Sequence, residues 1–313
     1  CLLSRGLGDV YKRQIHVNIN RIIIPLIAAK IIGIRTIIHF RDVPSAMRYK
    51  PTIGWYLFYR IMNFSNYWIA NSTATRKDVL SKHIKGKVTT LFNFLDIEAF
   101  DKNAEFCTAK ANFTIEKKTG YKIVMIAGIN PWKNQIDFIK IAIKILKIRK
   151  DITFYMYGKI ISENYYSMLK SKVKGSGFEK YIIFGGFNKD IPNLLKSIDL
   201  MVHTTRIEPF GRIFVESLAA KVPVITFNSG GAVDIINDKS NGFLINDYNL
   251  EKLVSSVKIL IDNDKLRLEM GKNGRERVKK VFSSQNYKKK LIGIYSKVIA
   301  VSYTHLTLPT KRI

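Results

Sequence analysis

The sequence predicts an α/β protein of two Rossmann-like, doubly wound domains that face each other across a cleft. Short runs rich in β-branched residues alternate with helical patterns, which is typical of parallel sheets covered by helices on both faces. The alternation lapses once, in a polar and charged stretch, and 313 residues suffice for two domains of roughly 100–200 residues each. Such sheets bind ligands outside the carboxyl ends of their strands.

The predicted strands are short, and helical patterns separate them. They cover 15–19, 36–40, 67–70, 88–92, 123–127, 152–157, 181–184, 200–203 and 222–227. The clearest helix is predicted over 137–150, where apolar residues from Phe138 to Ile148 recur at helical spacing. Charged residues interrupt the apolar stretch 22–40, which is therefore interpreted as a buried helix over 22–32 and a strand, not as a membrane span.

The domain organisation follows from the same pattern. The predicted segments are an incomplete N-terminal domain (15–105), a linker (106–120), a C-terminal domain (121–282) and a C-terminal helix that crosses back to the N-terminal domain (283–300). The end segments, 1–14 and 301–313, lack the Ile, Lys and Asn bias of the rest. They resemble translated sequencing-adapter read-through and are interpreted as foreign.

The formal net charge of +28 admits several explanations. Lysines are scattered along the helices without a basic block or an RNA-binding aromatic motif, so nucleic acid is not the predicted partner. Codon-driven residue bias is one explanation, and peripheral association with an anionic membrane is another. The two cysteines, Cys1 and Cys107, exclude a disulfide framework, and no secretory signal is visible. The predicted location is the cytoplasm, and peripheral association would place the chain at the inner face of the cytoplasmic membrane.

One segment after the strand 200–203 carries the predicted chemistry. It reads EPFGRIFVE and runs from Glu208 to Glu216. A strand-to-helix turn offers unpaired backbone N–H groups and the positive end of a helix dipole, which suit phosphate and sugar hydroxyls. A carboxylate in the turn and another inside the helix can accept hydrogen bonds from sugar and ribose hydroxyls. Alternatively, an isolated pair of this kind is a helix-end charge and a solvated helix residue.

The segment that follows, SLAAKVPVITFNSGGAVDIINDKSNGFLI, continues a family pattern. The segment from Glu208 to Glu216 and this continuation together resemble the donor site of the retaining GT-B glycosyltransferases of family 4 (group 1 type). That donor site carries a Glu-x7-Glu motif. The resemblance implies that Glu208 contacts the donor sugar and Glu216 the nucleotide ribose. It also implies that backbone amides near Phe210 and Gly211 hold the sugar.

The stretch AGINPWKNQ resembles the family turn whose lysine neutralises the donor diphosphate. The resemblance places Lys133 in that role, and a lysine is a suitable point charge for a leaving group whose negative charge grows. The arginine that accompanies this lysine in the family aligns with Gly128. Arg212, at the predicted helix start, is the candidate to replace it.

Four further residues match the family pattern. Gly230 and Gly231 form a loop where backbone can approach phosphate closely. Phe187 lies in the segment that matches the loop near the nucleotide base. His39 matches a family histidine that faces the cleft near the donor sugar, although a lone histidine is more often structural.

The resemblance implies an enzyme that transfers a hexosyl group from a nucleoside diphosphate sugar to a glycan or lipid-linked acceptor with retention, in surface polysaccharide synthesis. It implies no cofactor and no required metal, with the nucleotide sugar as co-substrate. The family's first strand and Gly-rich loop have no counterpart upstream of Ile15, so the chain is expected to be truncated and weakly active or inactive. The alternatives are a related GT-B sugar-nucleotide epimerase and a noncatalytic basic binding protein.

Overall fold

The computed structural model describes residues 14–18, 22–43, 53–81, 88–106 and 120–300. Residues 1–13 and 301–313 of the segments interpreted as foreign lie outside the described residues, as do Cys1, Cys107 and residues 107–119 of the predicted linker. Gln14 is described and begins the first strand, where it pairs with Arg35.

The first of two compact units comprises Cys1–Phe92 and Tyr287–Ile313. Its elements are β1 (Gln14–Val17), α1 (Ile24–Ile31), β2 (Arg35–Phe40), α2 (Ile53–Met62), β3 (Tyr67–Ala70), α3 (Thr73–Leu80) and β4 (Val88–Thr90). The four strands form a parallel sheet in the order β1-β2-β3-β4. Trp68 at 1% exposure and Phe40 at 0% are the largest side chains in its core.

The second unit comprises Asn93–Asn286. Its elements are α4 (Ile97–Phe106), β5 (Tyr121–Ile126), α5 (Gln135–Leu146), β6 (Ile152–Tyr157), α6 (Glu163–Lys174), β7 (Ile182–Gly186), α7 (Ile191–Lys196), β8 (Leu200–His203), α8 (Arg212–Ala219), β9 (Val224–Phe227), α9 (Ala232–Ile235), β10 (Gly242–Ile245), α10 (Leu250–Asp262) and α11 (Asp264–Val281). The last helix, α12 (Ser284–Ala300), supplies Ile294 and Val298 to an apolar cluster of the first unit. The predicted α/β class, with two parallel sheets, is confirmed.

The order of strands in the second sheet is β10-β9-β8-β5-β6-β7. The chain builds β5, β6 and β7 outward, returns to place β8 beside β5, and then continues to β9 and β10. The strand order therefore reverses between β5 and β8. In doubly wound sheets a crevice opens at this reversal, outside the carboxyl ends of the two strands, and ligands bind there.

The core of the second unit shows where the predicted helix over 137–150 was wrong. The helix ends at Leu146, with Lys147 as its C-cap. Ile148 therefore no longer follows the buried face and is 67% exposed. Phe138, in contrast, is fully buried and packs edge to face on Phe154 with ring centroids 5.8 Å apart. Helical spacing predicts which residues are buried only as far as the helix continues, so the prediction no longer applies beyond Leu146.

The boundary between the units differs from the predicted linker at 106–120. The division falls after Phe92, and α4 belongs to the second unit. Phe100 of α4 is buried, and Asp101 pairs with Arg275 of α11. A polar stretch in the sequence indicated a boundary because its few apolar residues gave no clear period. In the structure, ion pairing attaches α4, the described part of this stretch, to the second unit.

Strand β10 was not among the predicted strands. It is short, starts with Gly242 and pairs in parallel with β9. Both its ends are buried, whereas its centre is half-buried. In the described part of the chain, no helix combines the length and the apolar character needed to cross a bilayer.

Loss of the cap of α10 should weaken the second unit. Asn249 accepts a hydrogen bond from the backbone N–H of Lys252 at 3.0 Å, which satisfies one unpaired donor of the first turn. We expect Asn249→Ala to lower the free energy of unfolding by about 1 kcal/mol, measured by urea titration. Asn249→Asp keeps the acceptor and serves as the control. Equal stability of both variants would contradict this role for the cap.

Candidate functional site

The loop between β5 and α5 positions Lys133. The Asn130 side chain accepts hydrogen bonds from the backbone N–H groups of Trp132 and Lys133, at 2.9 and 3.3 Å. This caps a short 3-10 turn, Pro131–Lys133, and the proline fits its first position because it has no N–H to satisfy. Lys133 therefore lies in a turn that the Asn130 side chain caps, just beyond the carboxyl end of β5.

The loop after β8 is tied to this turn. The Thr204 hydroxyl donates to the carbonyl of Asn134 at 2.8 Å, and the Asn134 amide donates back to the Thr204 carbonyl at 3.1 Å. The Thr205 hydroxyl donates to the carbonyl of Lys133 at 3.3 Å. Asn134 adopts a left-handed conformation with φ 56°, which asparagine tolerates better than most residues. These bonds hold the two loops in register at the strand reversal.

Lys133 and Glu208 meet at this reversal although 75 residues separate them in sequence. The Lys133 ammonium donates to a carboxylate oxygen of Glu208 at 2.6 Å. Their side chains are 28% and 17% exposed, so the pair is largely shielded from water. The structure thus brings together the residues predicted to meet the donor diphosphate and the donor sugar.

Two glycines support the backbone of Glu208. The N–H of Gly231 donates to the Glu208 carbonyl at 2.7 Å. Gly230 has φ +58°, and a Cβ there would stand 2.3 Å from the same carbonyl oxygen. A Cβ on Gly231 would stand 2.5 Å from Cα of Phe210. Only glycine permits so close an approach of two backbones. The glycine pair that was predicted to lie near phosphate therefore also determines how closely the Glu208 loop approaches the loop of Gly230 and Gly231.

The start of α8 places the remaining residues of the motif. Gly211 is its N-cap with φ +89°, and Phe210 is buried edge to face against Phe282 with centroids 6.0 Å apart. Arg212 donates to a carboxylate oxygen of Glu216, one turn later, at 2.8 Å. The Arg212 side chain is 70% exposed and that of Glu216 is 15% exposed. The sequence suggested that Arg212 replaces a missing phosphate ligand, and its partner here is Glu216.

Burial raises the pKa of the Glu216 carboxyl above its ordinary value, and the Arg212 charge opposes this. Glu216 therefore takes up a proton at a higher pH than an ordinary glutamate. In the folded chain this proton is held more tightly than in the unfolded chain, so stability from this group grows as pH falls and is lost as pH rises through the raised pKa.

The same shift predicts pH-dependent ligand binding. Protonation removes the negative charge that accepts hydrogen bonds from ribose hydroxyls, so we expect the affinity for a nucleoside diphosphate to fall on mild acidification. Arg212→Ala should move the fall to higher pH, since it removes the opposing charge. Calorimetric titrations across pH check this, with Glu216→Gln as the control. The same pH profile for Glu216→Gln and the unaltered chain would contradict it.

Two histidines are buried and neutral. His203 ends β8, packs edge to face on Phe214 and has its pKa lowered to about 3 by burial and by Lys133. His39, predicted to face a cleft, is fully buried in the first unit and stacks on His16 with centroids 5.7 Å apart. Burial, then Arg41 and His16, lowers its pKa to about 3. His39 is thus a neutral group with no solvent exposure.

Phe187 and Gly128 occupy peripheral positions. Phe187 follows β7 and is 65% exposed, which leaves its ring open to a planar ligand. Gly128 follows β5, and its carbonyl accepts from the Gln135 amide at 2.9 Å. A Cβ at Gly128 would stand 2.6 Å from a terminal carbon of Ile161. A longer side chain at this position therefore requires Ile161 to move.

Four residues that hold the site loops together were not predicted from the sequence. They are Asn130, Asn134, Thr204 and Thr205. Asparagine before proline is a turn signal, and it could have indicated the cap at Asn130. Nothing local identifies Thr204 and Thr205, because their partners lie about 70 residues away. Among the described residues, no three His, Cys, Asp or Glu side chains are grouped so as to hold a metal ion.

The sequence model of the glycosyl transferases group 1 family matches residues 108–277. Poly(ribitol-phosphate) alpha-N-acetylglucosaminyltransferase of Staphylococcus aureus strain COL is 25% identical over 230 residues, which are 73% of this chain and 43% of that protein. The capsular polysaccharide biosynthesis glycosyltransferase CapM of Staphylococcus aureus is 34% identical over 100 residues, which are 32% of this chain and 26% of that protein. The chain thus spans less than half the length of either relative.

Solved structures share the fold. Anabaena Alr3699/HepE in complex with UDP-glucose has a TM-score of 0.76 at 22% identity and covers 91% of this chain and 79% of its own. Crystalline TarM has a TM-score of 0.70 at 20% identity and covers 84% of this chain and 50% of its own. These similarities confirm the predicted GT-B fold.

Proposed function

Because the chain belongs to the glycosyl transferases group 1 family, we propose that it carries the donor site of a retaining glycosyltransferase. The proposed reaction moves a hexosyl group from a nucleoside diphosphate sugar to a glycan or lipid-linked acceptor. Uridine diphosphate sugars are the first donors to consider, since HepE structures with the same fold contain UDP and UDP-glucose.

The pair of Lys133 and Glu208 at the strand reversal carries the proposal. A donor that places its diphosphate on the Lys133 ammonium replaces Glu208 as the partner of that charge. The freed carboxylate can then accept hydrogen bonds from hydroxyls of the donor sugar. The half-buried position of the pair strengthens both interactions relative to bulk water.

Glu216 is proposed to accept from the ribose hydroxyls, where its raised pKa reflects removal from water. Backbone N–H groups at Phe210 and Gly211, at the start of α8, are proposed to hold the sugar. The helix dipole and Lys133 supply positive charge near the diphosphate, so the proposed reaction requires no metal. Phe187 is proposed to lie beside the base.

In the proposed step, the bond between the anomeric carbon and the diphosphate oxygen breaks while the acceptor oxygen bonds to the same carbon from the same face. The acceptor proton passes to the departing diphosphate oxygen, and Lys133 balances its charge. The anomeric configuration is therefore retained. NMR of the product anomeric proton tests this: an inverted product would overturn the retaining mechanism and leave the donor site standing.

The acceptor is proposed to be a bacterial-type surface polymer or a lipid-linked sugar. By its name, one relative described above is a poly(ribitol-phosphate) N-acetylglucosaminyltransferase, and the other is a glycosyltransferase of capsular polysaccharide biosynthesis. The net charge of +28 favours acceptors that carry negative charge, and it favours peripheral binding at the inner face of the membrane. A cytoplasmic location belongs to the same proposal.

Calorimetric titration with UDP, GDP and their sugar conjugates tests the donor site. We expect one nucleotide to bind, and Glu216→Ala to weaken it by about 1–3 kcal/mol. Glu269→Ala removes an exposed carboxylate of α11 and is the matched control. Absence of binding by every nucleotide, with the fold intact, would overturn the proposal. An epimerase or a basic binding protein is not favoured, and donor conversion without acceptor would indicate the former.

A further inference from the structure

An open groove of about 810 Å³ lies within the second unit, apart from the candidate site. Four helices line it: α4, α7, α8 and α11. Its charged lining consists of five cations and two carboxylates: Lys196, Lys221, Lys272, Arg275, Lys279, Asp101 and Glu276. None of the residues that form the candidate site lines this groove.

The pairing within the groove leaves an excess of positive charge. Arg275 donates to both carboxylate oxygens of Asp101 and also to the Ala219 carbonyl, so it acts as a structural link. Lys279 pairs with Glu276 at 2.8 Å. Lys196, Lys221 and Lys272 are exposed and form no ion pair with another described residue, although the Lys221 charge helps to lower the pKa of Glu276. These three lysines define the basic groove.

Lys221 has a left-handed backbone conformation, which favours glycine over lysine. It follows the C-cap of α8 in the left-handed region with φ 62°, the position that glycine commonly occupies at a helix end. The N–H of Val222 donates back to the Ser217 carbonyl, which closes the turn. Gly271 of α11 packs so closely that a Cβ there would stand 2.1 Å from the Lys221 carbonyl oxygen. A lysine at this position costs conformational energy, and it places a cationic side chain in the lining of the groove.

The groove lies at the far end of α8 from the candidate site. That helix starts beside Glu208 and has eight residues, so its last turn lies about 12 Å along its axis. A small donor therefore cannot occupy both places. A polymer can, because a chain of several repeats spans this distance.

We propose that the basic groove is a secondary site for an acceptor polymer that carries repeated phosphodiester groups; this rests on the proposed transferase function. A lysine ammonium is a point charge, whereas the planar guanidinium of arginine binds one phosphate in a set geometry. Lysines therefore suit a polymer whose successive phosphates can each take the same position. The recess is concave, and its buried Phe100 offers no exposed aromatic anchor, which favours a polymer over a bilayer surface. Tethering the polymer raises its effective concentration at the donor site.

Fluorescence anisotropy with a labelled synthetic poly(glycerol phosphate) oligomer tests the proposal. The groove variant is Lys196→Glu/Lys221→Glu/Lys272→Glu, and the matched control is Lys172→Glu/Lys174→Glu/Lys180→Glu, which reverses three exposed lysines on and after α6. The groove variant should lose at least about tenfold in affinity, and its salt slope should fall by about 2, because three phosphate contacts disappear. The control should stay within about threefold of the unaltered chain. The triple glutamine variant gives the same test if charge reversal prevents folding.

Equal losses in the groove variant and the control would overturn the proposal, since net charge alone would explain binding. It would also fail if the groove variant lost affinity only for anionic phospholipid vesicles, because the groove would then be a membrane contact. UDP titration of each variant separates the two hypotheses. Unchanged UDP binding with lost polymer binding supports the groove. A chain that binds the polymer but no nucleotide contradicts the donor site, and with it the acceptor role proposed for the groove.

Discussion

Glu208→Gln is expected to slow donor turnover by about 100- to 1,000-fold. The reason is that the negative carboxylate of Glu208, which would stabilise the charge that develops on the donor sugar in the transition state, becomes a neutral amide. The substitution keeps the shape of the side chain and the backbone bond from Gly231. It also removes the ionic partner of Lys133, so the ammonium is left for the diphosphate. UDP affinity should therefore hold or increase while turnover falls. Rates of UDP-sugar hydrolysis and transfer, together with UDP titrations, measure the two effects.

Glu251→Gln is the matched control for this experiment. Glu251 pairs with Lys144 on the exposed surface of the second unit, away from the candidate site. An exposed pair contributes about 0–1 kcal/mol, so both turnover and UDP affinity should stay near those of the unaltered chain. If Glu208→Gln kept turnover within about fivefold, or lost UDP affinity in step with it, an electrostatic role for Glu208 at the sugar would be wrong.

Gly230→Ala is expected to lower the free energy of unfolding of the second unit by about 2–4 kcal/mol and to weaken nucleotide binding. The left-handed backbone accounts for part of the loss, since φ is +58°. The remainder comes from a Cβ placed 2.3 Å from the Glu208 carbonyl oxygen and 2.8 Å from the Glu208 backbone nitrogen. Because both partners are backbone, one loop must shift and take Glu208 with it. Urea unfolding and UDP titration report the two consequences.

Gly177→Ala separates the two contributions. Gly177 has φ +72°, similar to Gly230, but a Cβ there would meet no atom within 4 Å. We therefore expect a loss of only about 1 kcal/mol, with UDP affinity unchanged. Similar losses of stability for both variants would mean that the left-handed conformation explains the whole effect and that the close approach to Glu208 contributes nothing.

Most of the strands were predictable from the sequence, because β-branched runs between turn residues are local signals. The prediction over 36–40 differs by one residue from β2 (Arg35–Phe40), and 200–203 coincides with β8. The strand β10 was missed, since it is short and begins with glycine. Helix α4 was missed because its polar composition resembles a linker.

The sequence by itself determined the α/β class, the alternation of strands and helices, and the candidate motif from Glu208 to Glu216. These are local patterns, set by side-chain period and by the spacing of residues on one turn and helix. Only the tertiary structure decided which separated residues meet. It paired Lys133 with Glu208 across the strand reversal and placed Gly230 beneath the Glu208 loop. It also buried His39, because strand order and helix packing, not local sequence, determine which faces are covered.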